Sequence, residues 1–366
     1  MKKIRILGTR GIPANHGGFE TFAEMLALYL VSVGWDVTVY CQGYGDDGVS
    51  EKIWRNIRLV RVSNNWHGSI GTILFDLVAT MHASRRKGLI LTLGYNTALF
   101  CILYRLMGHT NLINMDGIEW RRGKWNLMQR AWLYLNERLA CWFGNQLIAD
   151  HPKIKEHLSA IVSPDKIIMI PYGANYIDTA DQQLLNSYNL LPKKYVLVIA
   201  RAEPENNVLE IVEAFSRKSR GFTLAILGNY EFNMNSYKKK VIESAGDEVM
   251  FLGAIYDSNI VNSLRFFSRL YIHGHTVGGT NPSLVEALGA SLPILAHDNT
   301  FNRWVAGDGA YYFKNSDECS LALEELLDNE NKLDTMRLCS IKQYQNKFTW
   351  IKVLSDYEAL FEKWSG

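Results

Sequence analysis

Short apolar runs recur along the first half of the chain: Ile4–Leu7, Asp36–Tyr40, Arg58–Val62, Leu89–Leu93, Asn111–Asn114, Gln146–Ala149 and Lys166–Ile170. They are rich in Val, Ile and Leu, which is how a strand buried on both faces reads. Between them lie stretches whose apolar positions fall three and four apart, notably Phe19–Val31, Ala98–Met107 and Asn126–Trp142. That spacing gathers apolar side chains on one face of a helix. Strands alternating with helices predict a parallel sheet with helices on both faces.

From Pro171 to Pro192 the pattern lapses into PYGAN, which is turn-like, and the polar, mixed DQQLLNSYNLLPKK, so a domain linker is expected here. It then restarts with strands Tyr195–Ala200, Phe222–Leu227, Val249–Leu252, Arg269–Ile272 and Pro293–Ala296, and helices Pro204–Phe215, Ser236–Ser244 and Pro282–Leu288. The expected fold class is α/β, two doubly wound Rossmann-like domains at 1–172 and 190–348. Such domains bind ligands at the carboxyl ends of their strands, and two of them facing each other would enclose a central cleft. The tail FTWIKVLSDYEALFEKW places Trp350, Val353, Leu354, Tyr357, Leu360 and Phe361 on one helical stripe, able to cover either domain.

A length of 366 residues accommodates two domains, and 48% hydrophobic with 21% charged residues is ordinary for a globular protein. A net charge of +2 argues against a nucleic-acid partner, since any basic site would have to be local. Five cysteines without a CxxC pair favour a reducing compartment over a structural zinc site. The apolar run after MKK is shorter than that of a signal peptide. The candidate spans Ile70–Met81 and Leu89–Met107 are interrupted by Asp76 and by Gly94 and Asn96. No membrane-spanning helix is expected, and a cytosolic protein that touches a membrane surface remains open.

The one literal GxGxxG, Gly43 to Gly48, follows a strand, but no helix opens after it and its Asp46 and Asp47 would repel phosphate, so it reads as a surface loop. GTRGIPANHGGFETFAEML is better placed, because Gly17 and Gly18 stand just before a helix. There the backbone could approach a diphosphate, with Arg10 and His16 nearby as donors; a tight turn needing positive φ is the alternative. In ARAEPENN, Arg201 ends a strand, where its planar fork suits phosphate oxygens unless it pairs with Glu203 or Glu205. In HGHTVGGTNPSLVEALG, Gly278, Gly279 and Thr280 lead to Asn281 as helix cap and Pro282 as first helical residue. The free N–H groups of that helix would face an anion. Glu286, one turn inside, would accept hydrogen bonds from ribose hydroxyls or stand solvated. Asp116 and Asp150 follow strands and precede turns, and Asp150 ahead of Pro152 could equally be a helix cap. Residues 120–142, dense in tryptophan and arginine, suit a lipid headgroup surface or an ordinary interface.

Taken together, these stretches resemble the family 4 glycosyltransferases, whose architecture is called GT-B, over essentially the whole chain. The opening glycines resemble the loop beneath the donor diphosphate, IPYGAN the linker entry, ARAEPENN the G-R-x-x-x-x-K-N turn, and GGTNPSLVEA the E-x7-E motif. The tail resembles the helix that crosses back onto the N-domain, which attaches 349–366 to residues 1–172. Two positions depart from the pattern: the motif lysine falls on Asn206 and the first glutamate on Gly278, while the second is kept as Glu286. A histidine common near the N-domain reaction centre has no clear match, and Asp116 occupies that neighbourhood.

With GTRGIPANHGGFET, these departures resemble bacterial rhamnosyltransferases of capsule and O-antigen assembly. That resemblance implies a retaining transfer from dTDP-β-L-rhamnose to glucose or N-acetylglucosamine on undecaprenyl diphosphate, without a metal or other cofactor. It also implies a peripheral location on the inner face of the cytoplasmic membrane. Arg201 and the N–H groups at Gly17–Gly18 and Gly279–Thr280 would stabilise the leaving diphosphate, and Asp116 or Asp150 would orient the acceptor. Another nucleotide-sugar donor, a GT-B nucleotide-sugar epimerase and a non-catalytic binding protein are the alternatives.

Overall fold

The computed structural model describes residues 2–14, 17–45, 48–230 and 235–365. These form two compact units: unit 1 comprises residues up to Arg121, Trp125–Pro171 and the tail from Trp350, and unit 2 comprises Arg122–Lys124 with Tyr172–Thr349.

Unit 1 is built on eight strands: β1 (Lys3–Leu7), β2 (Asp36–Tyr44), β3 (Gly48–Trp54), β4 (Ile57–Asn64), β5 (Leu89–Leu93), β6 (Asn111–Asn114), β7 (Gln146–Ala149) and β8 (Ile167–Met169). Their order is β3-β4-β2-β1-β5-β6-β7-β8, parallel throughout except for β3, which runs antiparallel to β4. The expected runs are the buried centre of this sheet, with Ile4, Ile6, Val37, Val39, Ile90 and Leu91 all out of solvent. β3 was not expected. It pairs at the exposed edge with β4, to which it is joined by a two-residue turn at Arg55 and Asn56 with positive φ of 47° and 65°. The interrupted run Ile70–Met81 lies within the helix Gly68–Ser84.

The tail forms the helix Trp350–Trp364, and its six stripe residues are all buried. Tyr357 packs on Phe22 at 4.9 Å between ring centroids, and its hydroxyl accepts from Asn114 Nδ2 at 2.8 Å. The tail thus covers the N-terminal sheet.

Unit 2 holds six parallel strands: β9 (Tyr195–Ile199), β10 (Thr223–Leu227), β11 (Val249–Gly253), β12 (Leu270–His273), β13 (Ile294–His297) and β14 (Tyr311–Phe313). Their order is β11-β10-β9-β12-β13-β14. Counted along the chain, this is 3-2-1-4-5-6, the Rossmann order, and it reverses between β9 and β12. The stretch read as a linker is structured: Leu185 and Leu190 are buried in the same core as Leu264 and Leu284.

Candidate functional site

Strand order in unit 2 reverses between β9 and β12, the point where doubly wound sheets open a crevice at the carboxyl ends of their strands, and the two most informative sequence stretches meet there. Their loops are tied together: Thr276 donates from N (2.9 Å) and Oγ1 (3.0 Å) to the Glu205 carbonyl. Gly274 allows this approach, because a Cβ there would stand 2.2 Å from the Asn206 carbonyl oxygen. Arg201 follows β9 with an exposed side chain that makes no hydrogen bond or ion pair among the described residues. Its expected competitor for pairing, Glu205, instead meets Arg122 at 3.5 Å within unit 2. Arg201 is therefore a cation at the carboxyl end of the sheet with its side-chain hydrogen-bond capacity unspent.

Asn206, at the position of the motif lysine, and Asn281, the expected helix cap, are both used by the fold. Asn206 is buried and its amide donates to the Arg201 carbonyl at 2.9 Å. The helix expected from Pro204 is a single 3-10 turn, Pro204–Asn206, followed by left-handed Asn207 at φ 49° and the helix Val208–Ser216. Asn281 caps the helix Pro282–Gly289, accepting from Ser283 N at 3.2 Å and Ser283 Oγ at 2.9 Å. Thr280 is buried beside it. Gly278 adopts φ 133°, where side chains are strained, although the space beside it is open. Gly279 joins it to this turn. Glu286 is half-buried and paired: one carboxylate oxygen receives Arg265 Nη2, and Arg265 is itself buried. The pair fixes Glu286 one turn inside the helix that borders the crevice.

Three histidines line the same sheet end. His273 is 1% exposed, with neither ring nitrogen bonded among the described residues, and its ring stacks on His275 at 4.3 Å and 5°. Burial pushes the His273 imidazole well below its ordinary range, and neighbouring His275 and His297 add to this. His275 is pushed down to about 3 by burial and by the charges of Arg201 and Arg122. Burial lowers His297 too. All three are neutral at physiological pH.

In unit 1 the opening stretch departs from expectation. Gly17 caps the helix Gly18–Ser32 with extended φ of −155°, so no left-handed turn calls for glycine. A Cβ on Gly17 would instead lie 2.9 Å from Glu20 Oε2. The Glu20 carboxylate accepts from Arg10 N at 3.0 Å and Thr9 Oγ1 at 3.3 Å, while Glu24 accepts from Ala14 N at 2.6 Å. The helix start thus carries its own carboxylates beside Gly17 and Gly18, the residues read as a diphosphate cradle. His16 lies outside the described residues, as do Asp46 and Asp47 of the loop at 43–48, which leads into β3 rather than a helix.

Asp116 and Asp150 lie at the same end of the sheet. β6 and β7 pair Asn114 with Ile148, and two residues further on that register sets Asp116 level with Asp150. Asp116 holds φ 51°, and its N–H donates to Asn114 Oδ1 at 3.0 Å. The helix cap at Pro152 is not Asp150 but His151, whose Nδ1 accepts from Lys153 N at 3.0 Å. Nothing in the sequence distinguished His151 from Asp150 as the cap. Arg265 was also missed, being 21 residues from its partner.

The tryptophan- and arginine-rich segment folds into the helix Leu127–Phe143, started by a capping box of Asn126 and Gln129. Trp120 Nε1 donates to buried Glu137 at 3.1 Å, which also meets His157 Nε2 at 3.0 Å. Leu127, Met128, Tyr134, Leu135 and Trp142 are exposed on the helix, as are Leu106 and Met107 on the neighbouring turn. No helix among the described residues is long and apolar enough to cross a membrane.

Two Rossmann-like sheets in one chain, with the tail helix returned to the first, define the GT-B architecture. Residues 183–342 match the family model described as "Glycosyl transferases group 1", and residues 1–175 match a domain of unknown function, DUF1972. No curated protein matches the chain. Among solved structures, sucrose-phosphate synthase from Thermosynechococcus elongatus is similar, with a TM-score of 0.81, 14% identity and 99% of each chain covered. Anabaena HepE in complex with UDP and glucose gives 0.78 at 15% identity, covering 99% of this chain and 100% of that one. A UDP-forming α,α-trehalose-phosphate synthase from Burkholderia vietnamiensis gives 0.75 at 10%, with 99% and 100% covered. The chain thus has the GT-B fold of these structures, and its residues 183–342 carry a glycosyltransferase group 1 domain, the part of an enzyme that transfers a glycosyl group.

Proposed function

We propose that the enzyme takes a nucleotide-sugar donor at the unit 2 crevice, and that the donor is dTDP-β-L-rhamnose. The observation that carries the donor reading is Arg201, unpaired at the strand-order reversal beside a capped helix N-terminus. UDP or UDP-glucose is bound by the Anabaena relative, and the Burkholderia relatives are UDP-forming, which supports a nucleoside diphosphate as the leaving group. The choice of a 6-deoxy sugar is supported by Gly278, where the family pattern has a sugar-binding carboxylate.

In this proposal the acceptor hydroxyl oxygen bonds to the sugar C1 as the bond from C1 to the diphosphate oxygen breaks, with retained configuration. The hydroxyl proton passes to the leaving diphosphate. Arg201 and the N–H groups at Gly279–Thr280 stabilise the charge that builds there. Glu286, oriented by Arg265, accepts from the ribose hydroxyls. Asp116 or Asp150 orients the acceptor, and side chains and backbone alone neutralise the diphosphate, without a metal.

The acceptor we propose is glucose or N-acetylglucosamine on undecaprenyl diphosphate, met at the inner face of the cytoplasmic membrane. Supporting this, exposed Leu127, Met128, Leu135 and Trp142 share the helix with Arg130 and Arg138, a pairing that suits an anionic lipid surface. The test is a panel of dTDP-, UDP- and GDP-sugars against both lipid-linked acceptors, read by mass spectrometry. A mass gain of one deoxyhexose with dTDP-rhamnose is expected. Gain only with another donor would overturn the rhamnose reading, and donor conversion without acceptor would overturn transfer itself.

A further inference from the structure

We infer that His275 donates a hydrogen bond from Nε2 to the donor diphosphate, beside Arg201; this rests on the proposal that the unit 2 crevice takes a nucleoside diphosphate. The placement follows from strand register. β12 pairs with β9 at Leu270–Val196 and Tyr271–Leu197, and continuing that register sets His275 level with Arg201 across the point where strand order reverses.

The ring and the backbone that carries it are both held. The ring stacks on buried His273, and the His275 carbonyl accepts from Asn299 Nδ2 and Asn302 Nδ2, both at 2.9 Å. Its neighbour Thr276 is tied to the Glu205 carbonyl. Such a residue loses little freedom when a ligand arrives.

The two ring nitrogens differ. Nδ1 is buried without a hydrogen-bond partner among the described residues, whereas Nε2 is not among the buried unpartnered atoms. A buried orphan N–H is costlier than an unfilled acceptor, so the single proton of the neutral ring belongs on Nε2, the nitrogen open to the crevice. Burial and the Arg201 and Arg122 charges keep the ring neutral. His275 therefore offers one directed N–H while Arg201 supplies the charge. Asn206 is buried and one of its amide hydrogens goes to the Arg201 carbonyl.

The experiment is calorimetric titration of dTDP into the full-length protein and into H275F, H275Q and R201A. Phenylalanine keeps the stack on His273 but removes the donor, and glutamine can restore an N–H near the Nε2 position. We expect H275F to bind dTDP about ten-fold or more weakly, as loss of a hydrogen bond to a charged group implies, and H275Q to recover most of that affinity. A cross-peak of His275 Nε2–H that shifts on adding dTDP is expected from ¹⁵N-histidine NMR, and this holds the inference testable if H275F does not fold. Unchanged dTDP affinity in H275F, or an unmoved Nε2–H signal, overturns the role of His275 while R201A still reports on the diphosphate site. No dTDP binding by the unmodified protein overturns the donor reading as well.

Discussion

Asp76 offers a quantitative test of how unit 1 is built. It lies in the helix Gly68–Ser84 and accepts from Thr97 Oγ1 at 2.8 Å. Burial raises its carboxyl from 3.8 to about 6, and the Thr97 hydrogen bond only partly offsets this. The folded state therefore holds the proton more tightly than the unfolded chain. Stability is greatest when the pH is below the unfolded value and falls as pH rises through about 6, beyond which the full penalty applies. A difference of about two pH units at ~1.36 kcal/mol each sets an upper limit of ~3 kcal/mol at pH 7.5. Asp76→Asn removes the charge and keeps an acceptor for Thr97, so it should stabilise unit 1 by ~1–3 kcal/mol at pH 7.5 and by almost nothing at pH 3.5. For a domain of this size that is roughly 3–10 °C in Tm. Tryptophan fluorescence reads the unit directly, since of the ten tryptophans only Trp304 lies in unit 2. A gain independent of pH, or a loss at pH 7.5, would refute the reasoning.

Three further outcomes are expected. Gly274→Ala drives a Cβ to 2.2 Å from the Asn206 carbonyl, so both loops must shift; turnover should fall at least about ten-fold, with ~1–3 kcal/mol of stability lost in thermal melts. Glu286→Gln removes the counter-charge of buried Arg265 and should cost ~1–3 kcal/mol while chiefly raising the donor KM; an effect confined to acceptor KM would contradict the ribose role. Replacing Leu127 and Met128 with serine should weaken sedimentation with anionic phospholipid vesicles about ten-fold or more, and unchanged binding would rule out this face as the docking surface.

Much of the fold was legible because parallel strands buried on both faces need unbroken apolar runs, as in Tyr195–Ile199, four of whose five residues are buried. β3 was not, since VSEKI is wholly exposed and has no buried apolar face to mark it. The helix Gly68–Ser84 was hidden by Asp76, whose charge breaks the apolar run but whose carboxyl is sheltered by Thr97. At the site, Arg201 and Glu286 could be marked because strand-to-helix turns have local signatures. Their surroundings could not: Arg265 reaches Glu286, and Glu20 closes the loop of Thr9 and Arg10, only through tertiary packing. His275 stood within a quoted motif, but its stacking and its buried Nδ1 depend on β12 lying beside β9.

The central claim is that an unpaired Arg201 at the unit 2 strand reversal stabilises a departing nucleoside diphosphate. The most direct measurement is the kcat of sugar transfer for Arg201→Ala beside the unmodified enzyme, once the donor panel has fixed the substrate. Loss of a preorganised donor to developing negative charge predicts a fall on the order of 10²-fold or more, with the fold retained. A kcat within about two-fold of the unmodified enzyme would contradict it.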